Sequence, residues 1–247
     1  MDLALKGRTA IVCGASSGIG LGIAEALAEE GANIAMFARR RDVLEREADR
    51  LGALAVRGDV TVRGDLERLV AQTVTAFGGI DVVVHNSGGP PRTTALDMDE
   101  ESIEAAVQLL LVSAVRLTSL CLPHLESSGH GRIVTVTSSS VKEPIDNLAL
   151  SNAVRPGVVG WSKTLARELG PKGITVNCVA PGRIDTERLR EVYPNGPTEV
   201  DLANIPLRRL GTRGEVGSLV AFLCSDRGAY ISGATIPVDG GLIRSLL

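Results

Sequence analysis

The sequence predicts an α/β fold, in which a doubly wound parallel sheet of seven strands carries helices on both faces. Two observations predict it. Short apolar runs rich in β-branched residues alternate with longer helical patterns, and no repeat, low-complexity segment or linker interrupts the 247 residues. Strands that alternate with crossover helices form parallel sheets covered on both faces. We therefore expect one domain over residues 1–247.

The predicted elements follow one another without long connections. Strands are predicted at Thr9–Gly14, Asn33–Ala38, Ala53–Arg57, Ile80–His85, Arg132–Thr137, Ile174–Ala180 and Thr235–Val238. Helices are predicted at Ile19–Glu30, Asp42–Leu51, Asp65–Phe77, Asp99–Glu126 and Glu215–Cys224, with one more that ends near Leu169. An irregular segment, Arg190–Arg213, follows the sixth strand, at the edge where open α/β sheets bind their ligands.

Composition excludes several classes of protein. The 26 basic and 29 acidic residues give a net charge of −3, and aromatic residues make up 2 %, which predicts no nucleic-acid partner. The longest stretch without a charged side chain, Thr9–Ala24, has 16 residues, fewer than the roughly 20 that cross a membrane. Met1–Lys6 shows no signal-peptide pattern. The four cysteines are widely spaced, which predicts no metal site, no disulfides and a cytoplasmic location.

A glycine-rich turn connects the first strand to the first helix. Glycines allow the backbone to approach a diphosphate, and the free N–H groups and positive end of the helix dipole bind its charge. The alternative is a tight turn without a ligand. The position between strand and helix favours a dinucleotide site, with these contacts: Gly14, Ser16, Ser17, Gly18, Ile19 and Gly20.

The spacing Gly-x-x-x-Gly-x-Gly resembles that of the short-chain dehydrogenase/reductase family, which has a Rossmann-type fold, and in particular its 3-oxoacyl-carrier-protein reductase-like branch. Similar segments extend along nearly the whole chain: Gly58–Val60, Asn86–Gly88, Arg132–Ser139, Leu165–Leu169, Val176–Gly182 and Pro237–Gly241. The resemblance implies further cofactor contacts at Asp59, Val60, Asn86, Ser87, Gly88, Pro181, Gly182, Ile184 and Thr186.

The residues after the second strand indicate which dinucleotide binds. An acidic residue there would bind a ribose 2′-hydroxyl and favour NAD(H), but the strand ends at Ala38. Arg39 and Arg40 follow, and guanidinium groups bind a 2′-phosphate well. We therefore expect NADP(H) rather than NAD(H). The alternative is a solvated basic start of the next helix.

The resemblance also locates the catalytic positions. Ser138 falls on the family serine, Ser151 on the tyrosine, Arg155 on the lysine and Leu110 on the asparagine. Three of these four positions are thus substituted, and the surrounding segments resemble a subgroup described as lacking the usual tetrad. A serine hydroxyl is a weaker acid than a phenol. Arginine stays protonated, so it can stabilise an oxyanion but cannot relay a proton.

Local sequence around these positions adds four expectations. Pro156 predicts that its helix starts near Ala153 or kinks, which would displace Arg155, because proline lacks an N–H and disfavours helical angles before it. His85 is interpreted as a buried structural histidine, and Lys142 as a solvated loop residue. The other two histidines, His124 and His130, are expected at the surface, and neither tyrosine, Tyr193 or Tyr230, lies near the expected site.

Two functions remain open at this point. The first is an NADP(H)-dependent oxidoreductase that interconverts a carbonyl and an alcohol on a small molecule, with Ser138, Ser151 and Arg155 as the catalytic candidates. The second is an NADP(H)-binding sensor or scaffold without turnover, since fold alone does not determine function. The substrate and the direction of reaction are not indicated.

Two helices carry apolar stripes at helical spacing. The simplest interpretation is that each stripe covers the sheet. The resemblance implies more, because family members commonly pair these two helices across a two-fold axis, and it predicts a homodimer or homotetramer. The stripes are Val107, Leu110, Leu111, Ala114 and Leu117, and Val154, Val158, Trp161, Leu165 and Leu169.

Overall fold

The structure, a computed structural model, describes residues 2–192 and 195–246. Its strands are β1 (Thr9–Cys13), β2 (Asn33–Ala38), β3 (Leu54–Arg57), β4 (Val82–His85), β5 (Arg132–Val136), β6 (Thr175–Pro181) and β7 (Thr235–Val238). Its α-helices are α1 (Gly18–Glu29), α2 (Arg41–Leu51), α3 (Arg63–Phe77), α4 (Glu100–Val107), α5 (Ser113–Ser128), α6 (Ala149–Leu169), α7 (Glu187–Val192), α8 (Glu199–Ala203) and α9 (Arg213–Cys224).

The strands of the described residues form one parallel sheet in the order β3-β2-β1-β4-β5-β6-β7. The predicted fold class is therefore confirmed. The order reverses between β1 and β4, so the chain leaves these two neighbouring strands in opposite directions. This switch point opens a crevice at the carboxyl ends of the strands, where doubly wound folds bind ligands.

Two apolar layers cover the sheet. Successive side chains of a strand point to opposite faces, so Val12 packs with α1, α2 and α9 while Ile11 packs with α3, α5 and α6. Every residue of β1 is buried, as expected for a central strand with both faces covered. The sheet is therefore a rigid base for the loops that follow its carboxyl ends.

The helix that carries Ser151 and Arg155 contradicts one of the two alternatives drawn from Pro156, the late start of the helix. It begins at Ala149, not near Ala153, and continues through Pro156 to Leu169. Proline removes one hydrogen bond from a helix interior. Here the proline is exposed, whereas the opposite face of the helix is buried against the sheet. Tertiary packing thus overrides the local propensity of Pro156 to end a helix, and a kink at this proline stays a prediction.

The predicted long helix Asp99–Glu126 is also divided. A π-helical turn, Gln108–Val112, separates α4 from α5. Such a turn inserts one extra residue into the helical repeat and is frequent at functional sites. It places Leu110, 5 % exposed, against the inner wall of the crevice.

The segment Arg190–Arg213 is more regular than predicted. The end of α7 and the whole of α8 lie within it, and α9 begins at its last residue. A threonine caps the N-terminus of both α8 and α9, and its hydroxyl accepts a hydrogen bond from the backbone N–H three residues on. This arrangement, a capping box, favours the start of a helix. Tyr193 lies outside the described residues.

The stretch Glu100–Ser128 is long and apolar enough to cross a membrane, a test that core helices of soluble proteins also pass. Its buried side chains, Leu117 and Leu125 among them, pack into the layer over β4 and β5. The stretch therefore has a structural role in this fold, and the expectation that no segment spans a membrane stays a prediction.

Candidate cofactor and substrate cleft

A cleft of about 850 Å³ opens at the carboxyl ends of the central strands. Nearly all the residues singled out from the sequence line it. From the cofactor set these are Gly14, Ser16, Ser17, Gly18, Ile19, Arg39, Arg40, Asp59, Val60, Asn86, Ser87, Gly88, Pro181, Gly182, Ile184 and Thr186, and from the catalytic set Ser138, Ser151 and Arg155. Gly20 is the exception, because it lies behind the turn and does not line the cleft.

Gly14 and Gly20 together make the glycine-rich turn possible. Gly14 has a φ of +62°, and a Cβ there would lie 2.6 Å from the Asn86 Nδ2 atom. At Gly20 a Cβ would lie 2.2 Å from the Gly14 carbonyl oxygen. Gly20 therefore lets the helix pack closely against the turn, and its predicted contact with the cofactor stays a prediction. The Asn86 Nδ2 atom donates to the Cys13 carbonyl at 3.1 Å and fixes β4 to the same turn.

The N-terminus of α1 lacks the usual side-chain cap. Ser17 occupies the capping position but accepts no hydrogen bond from the first turn, and that turn holds no acidic residue. The free N–H groups and the positive end of the helix dipole therefore face the cleft. The glycines of the turn carry no Cβ that would fill the space in front of them. These features fit a dinucleotide diphosphate.

Two of the three consecutive arginines line the cleft. The Arg40 Nη2 atom donates to Ser17 Oγ at 2.6 Å and to Glu187 Oε2 at 3.0 Å, so it connects the glycine-rich turn with α7. Arg39 is largely exposed, with its Nη1 atom 3.9 Å from Asp59 Oδ2. The third, Arg41, turns away to bind Glu45. A pair of guanidinium groups beside the end of β2 fits a phosphate better than a bare hydroxyl.

The three candidate catalytic residues meet at the end of β5. Ser138 Oγ accepts from the Ser140 N–H at 3.1 Å. Ser140 Oγ lies 3.3 Å from Ser151 Oγ, which in turn accepts from Arg155 Nε at 3.1 Å. Because Ser151 and Arg155 are four residues apart on α6, they share one face of the helix. The structure thus places serine and arginine together, in the same cleft as the glycine-rich turn.

Arg155 is a buried cation. Its Nη1 atom donates to the Val136 and Thr137 carbonyls at 3.3 and 3.1 Å. Burial and, to a smaller extent, the positive charge of Arg188 lower the pKa of Arg155 to about 10. The guanidinium therefore stays charged at neutral pH and can stabilise an oxyanion.

An inner cavity of about 20 Å³ lies behind Arg155, a volume that accommodates one water molecule. Leu110 and Thr135 line it. The Thr135 Oγ1 atom is buried without a hydrogen-bond partner among the described residues. Leu110 therefore contributes an apolar wall to a cavity that also contains an unpartnered hydroxyl.

The remaining candidates have structural surroundings. His85 Nε2 lies 2.9 Å from Thr118 Oγ1, and burial lowers the pKa of His85 to about 4, which confirms its interpretation as a buried structural residue. Lys142 is half-buried and does not line the cleft. His124 is half-buried and His130 is 3 % exposed, so the expectation that His130 lies at the surface is wrong.

Sequence reasoning missed part of the cleft wall. Arg188 of α7 lines it and donates from Nη2 to the Pro90 carbonyl at 3.1 Å. The Glu143 carboxylate accepts from the backbone N–H groups of Arg244 and Ser245 at 2.7 and 2.6 Å, which brings the C-terminal segment against the cleft. No local pattern marks these residues. Their proximity depends on how distant loops pack over the sheet.

Comparison with known proteins agrees with this geometry. A family model described as enoyl-(acyl carrier protein) reductase matches residues 14–243. Dehydrogenase/reductase SDR family member 4 of Sus scrofa is 34 % identical over 249 residues, which cover 98 % of this chain and 89 % of that relative. The chain belongs to the short-chain dehydrogenase/reductase family. The resemblance seen in the sequence is confirmed at this level.

Other members of the family extend the comparison. The 3-oxoacyl-[acyl-carrier-protein] reductase FabG of Escherichia coli (strain K12) is 36 % identical over 241 residues, which cover 96 % of this chain and 98 % of FabG. The L-sorbose reductase of Gluconobacter frateurii, solved with NADPH and L-sorbose, superposes with a TM-score of 0.92 at 32 % identity, over the full length of both chains. YwfH, an NADPH-dependent reductase involved in bacilysin biosynthesis, gives a TM-score of 0.93 at 27 % identity, over 97 % of this chain and 99 % of YwfH. The chain therefore belongs to a family of enzymes.

Proposed function

We propose that this protein is an NADP(H)-dependent oxidoreductase that interconverts a carbonyl and an alcohol with an atypical active site. The observation that carries the proposal is one cleft that joins an uncapped glycine-rich turn and two arginines to a Ser138–Ser151–Arg155 cluster. The NADPH held by the related L-sorbose reductase supports the choice of cofactor. The names of the relatives support reduction of a carbonyl.

The chain's own residues divide the remaining work. Bound NADP(H) supplies or accepts the hydride. The N-terminus of α1 and the glycine-rich turn hold the diphosphate, and Arg39 and Arg40 hold the 2′-phosphate. The hydroxyls of Ser138 and Ser151 orient the carbonyl oxygen. Arg155 stabilises the charge that develops on this oxygen, because a buried cation acts through a low dielectric.

Proton transfer is the atypical step in this proposal. Neither Ser151 nor Arg155 releases a proton readily near neutral pH, whereas a phenol beside a cation does. Water that reaches Ser151 through the open cleft therefore supplies the proton to the alkoxide. We infer that the protein belongs to the subgroup that lacks the usual tetrad, and we expect slow turnover compared with a tyrosine-containing relative.

The decisive experiment is a cofactor-oxidation screen. Purified protein with NADPH binding verified by calorimetry is offered an acetoacetyl thioester, a ketose and simple ketones, while the absorbance of NADPH is followed. We expect slow, protein-dependent oxidation with at least one carbonyl. Tight NADPH binding without oxidation on any carbonyl would instead support the sensor or scaffold function.

We also propose a homodimer or homotetramer in the cytoplasm. The apolar side chains of Ile103 and Val115, on α4 and α5, are at least one-third exposed, so these helices carry apolar surface that a second copy could cover. Light scattering of the purified protein tests this directly. A monomer at micromolar concentration would contradict it.

A further inference from the structure

Arg155 carries a positive charge that nothing in the described part of the chain neutralises. It is 8 % exposed, and no carboxylate among the described side chains, those of residues 2–190 and 195–246, forms an ion pair with it. The other deeply buried arginine, Arg132, is 4 % exposed and has Asp226 at 3.7 Å. A buried charge is costly unless an opposite charge compensates it. Arg155 therefore has the surroundings of a cation that awaits an anion.

The hydrogen bonds of Arg155 leave one side of its guanidinium unused. Nε donates to the Ser151 hydroxyl, and Nη1 donates to two backbone carbonyls at the end of β5. These neutral acceptors fix the plane of the group but do not neutralise it. The donors of Nη2 have no partner among the described residues, and Arg155 lines the cleft.

A second cation faces the same space. Arg188 lines the same cleft as Arg155, and its positive charge is the second cause, after burial, of the lowered pKa of Arg155. Like charges in one cleft repel each other. An anion bound between the two guanidinium groups removes this repulsion and gains charge-assisted hydrogen bonds from both.

The acidic residues of the cleft are engaged elsewhere. Glu187 binds Arg40, Glu143 binds the backbone of the C-terminal segment, and Asp59 accepts from the N–H and hydroxyl of Thr61. Asp146 is exposed at the rim. A ligand must therefore provide the missing negative charge.

We propose that the substrate is a short oxo acid whose carboxylate is held between Arg155 and Arg188. Because Nε and Nη2 belong to one planar guanidinium, a carbonyl oxygen at Ser151 and a carboxylate at Nη2 lie only a few bonds apart in the substrate. A 2-oxo or 3-oxo acid meets this condition. Its reduction consumes NADPH and one proton and yields the hydroxy acid and NADP⁺. The inference rests on the proposed function and names its substrate class.

Matched substrates separate charge from shape. Acetoacetate and acetoacetamide have nearly the same size, but only the first is an anion. Hydrogen bonds to charged groups contribute about 1.5–3 kcal/mol, so we expect kcat/KM for acetoacetate to exceed that for the amide by about 10–100-fold in the wild type. In Arg188→Gln and in Arg155→Gln this ratio should fall towards one. The control is Arg190→Gln. Arg190 is exposed, lies two residues after Arg188 and loses only its ion pair to Asp185 in this variant, so the wild-type ratio should be kept.

A binding measurement distinguishes this inference from the oxidoreductase proposal. Calorimetry of the NADPH-loaded protein with butyrate and with butyramide needs no turnover. Butyrate binding that both Arg155→Gln and Arg188→Gln abolish supports the anion site even if no carbonyl is reduced.

Two results would overturn the inference. The first is equal affinity for butyrate and butyramide in the wild type. The second is an acid-to-amide ratio that Arg155→Gln leaves unchanged while it weakens NADPH binding, because Arg155 would then serve the cofactor. If Arg155→Gln fails to fold, Arg188→Gln and the conservative Arg155→Lys provide the same comparison.

Discussion

The two ends of the cleft differ in how far their residues follow the pattern of the family. At the cofactor end the glycine-rich turn, the uncapped α1 and the basic residues after β2 all agree with it. At the reacting end the resemblance predicts a tyrosine, a lysine and an asparagine at positions 151, 155 and 110, and we propose that Ser151, Arg155 and Leu110 replace them. The difference teaches that contacts made by backbone tolerate little change, because a Cβ has no room. Contacts made by side chains can be replaced within the same helices without altering the fold.

The backbone side of this comparison predicts the largest effect. Gly20→Ala would put a Cβ 2.2 Å from the Gly14 carbonyl oxygen. The turn must then shift, and we expect a loss of roughly 3 kcal/mol or more of stability together with NADPH binding. Urea unfolding and calorimetric titration measure the two losses.

The matched control is Gly64→Ala in the first turn of α3, where a Cβ would meet nothing within 4 Å. It should change stability little and leave NADPH binding intact. A Gly20→Ala protein that binds NADPH as the wild type does would show that the close packing of turn and helix is not required.

The next largest effect is a pH dependence of stability, which we expect from His85 at the boundary between the cofactor end and the reacting end of the cleft. Burial lowers the pKa of His85 from 6.5 to about 4, so the unfolded chain binds a proton at higher pH than the folded one. Stability from this group is therefore complete above pH 6.5 and is lost as the pH falls towards 4. The shift corresponds to about 3 kcal/mol.

Replacement of His85 by Gln isolates this contribution. The amide can still bond to Thr118 but does not titrate. Urea unfolding at a series of pH values should show that the wild type loses stability more steeply than His85→Gln between pH 6.5 and 4. His124→Gln serves as control and should follow the wild type. Parallel curves for wild type and His85→Gln would exclude His85 as the source.

The sequence predicts those features that local residues determine, and it fails for those that depend on packing between distant segments. The alternation of short apolar runs with helical patterns predicted the fold, and the glycine spacing, Ala38 and the following arginines predicted residues that line the cofactor end of the cleft. The π-helical turn, the helix that runs through Pro156 and the approach of Arg188 depend on packing between distant segments. The exposed ring of Pro156 illustrates this, because its local propensity ends a helix while the buried face opposite it continues one. Boundaries such as Val82 instead of Ile80 for β4 shift for the same reason.

The reacting end predicts a gain of function. Ser151→Tyr combined with Arg155→Lys would restore a phenol beside a cation four residues away on α6. General acid catalysis contributes about 10²–10⁴-fold, so we expect turnover of an acetoacetyl thioester to rise by about 100-fold. The measurement is NADPH oxidation at saturating cofactor.

The control for this pair is Ser151→Phe with Arg155→Lys, which adds the same ring without the hydroxyl. It should show no gain. If a folded Tyr–Lys variant is no faster than the Phe–Lys variant, the pocket is not arranged for proton transfer from position 151. The reacting end would then differ from the family pattern in more than the three side chains.

The smallest effect concerns the choice of dinucleotide, which sharpens the cofactor side of the comparison. NADPH should bind more tightly than NADH, because only NADPH carries the 2′-phosphate that Arg39 and Arg40 can bind. Arg40→Ala should weaken NADPH by roughly tenfold and leave NADH nearly unchanged. Arg41→Ala is the matched control, since Arg41 pairs with Glu45 at 2.8 Å and does not line the cleft.

Titration calorimetry of both cofactors with the three proteins measures these affinities. Equal affinities of the wild type for NADPH and NADH would remove the role given to the two arginines. An Arg40→Ala protein that loses NADPH and NADH alike would instead assign Arg40 to the turn, through its bond to Ser17.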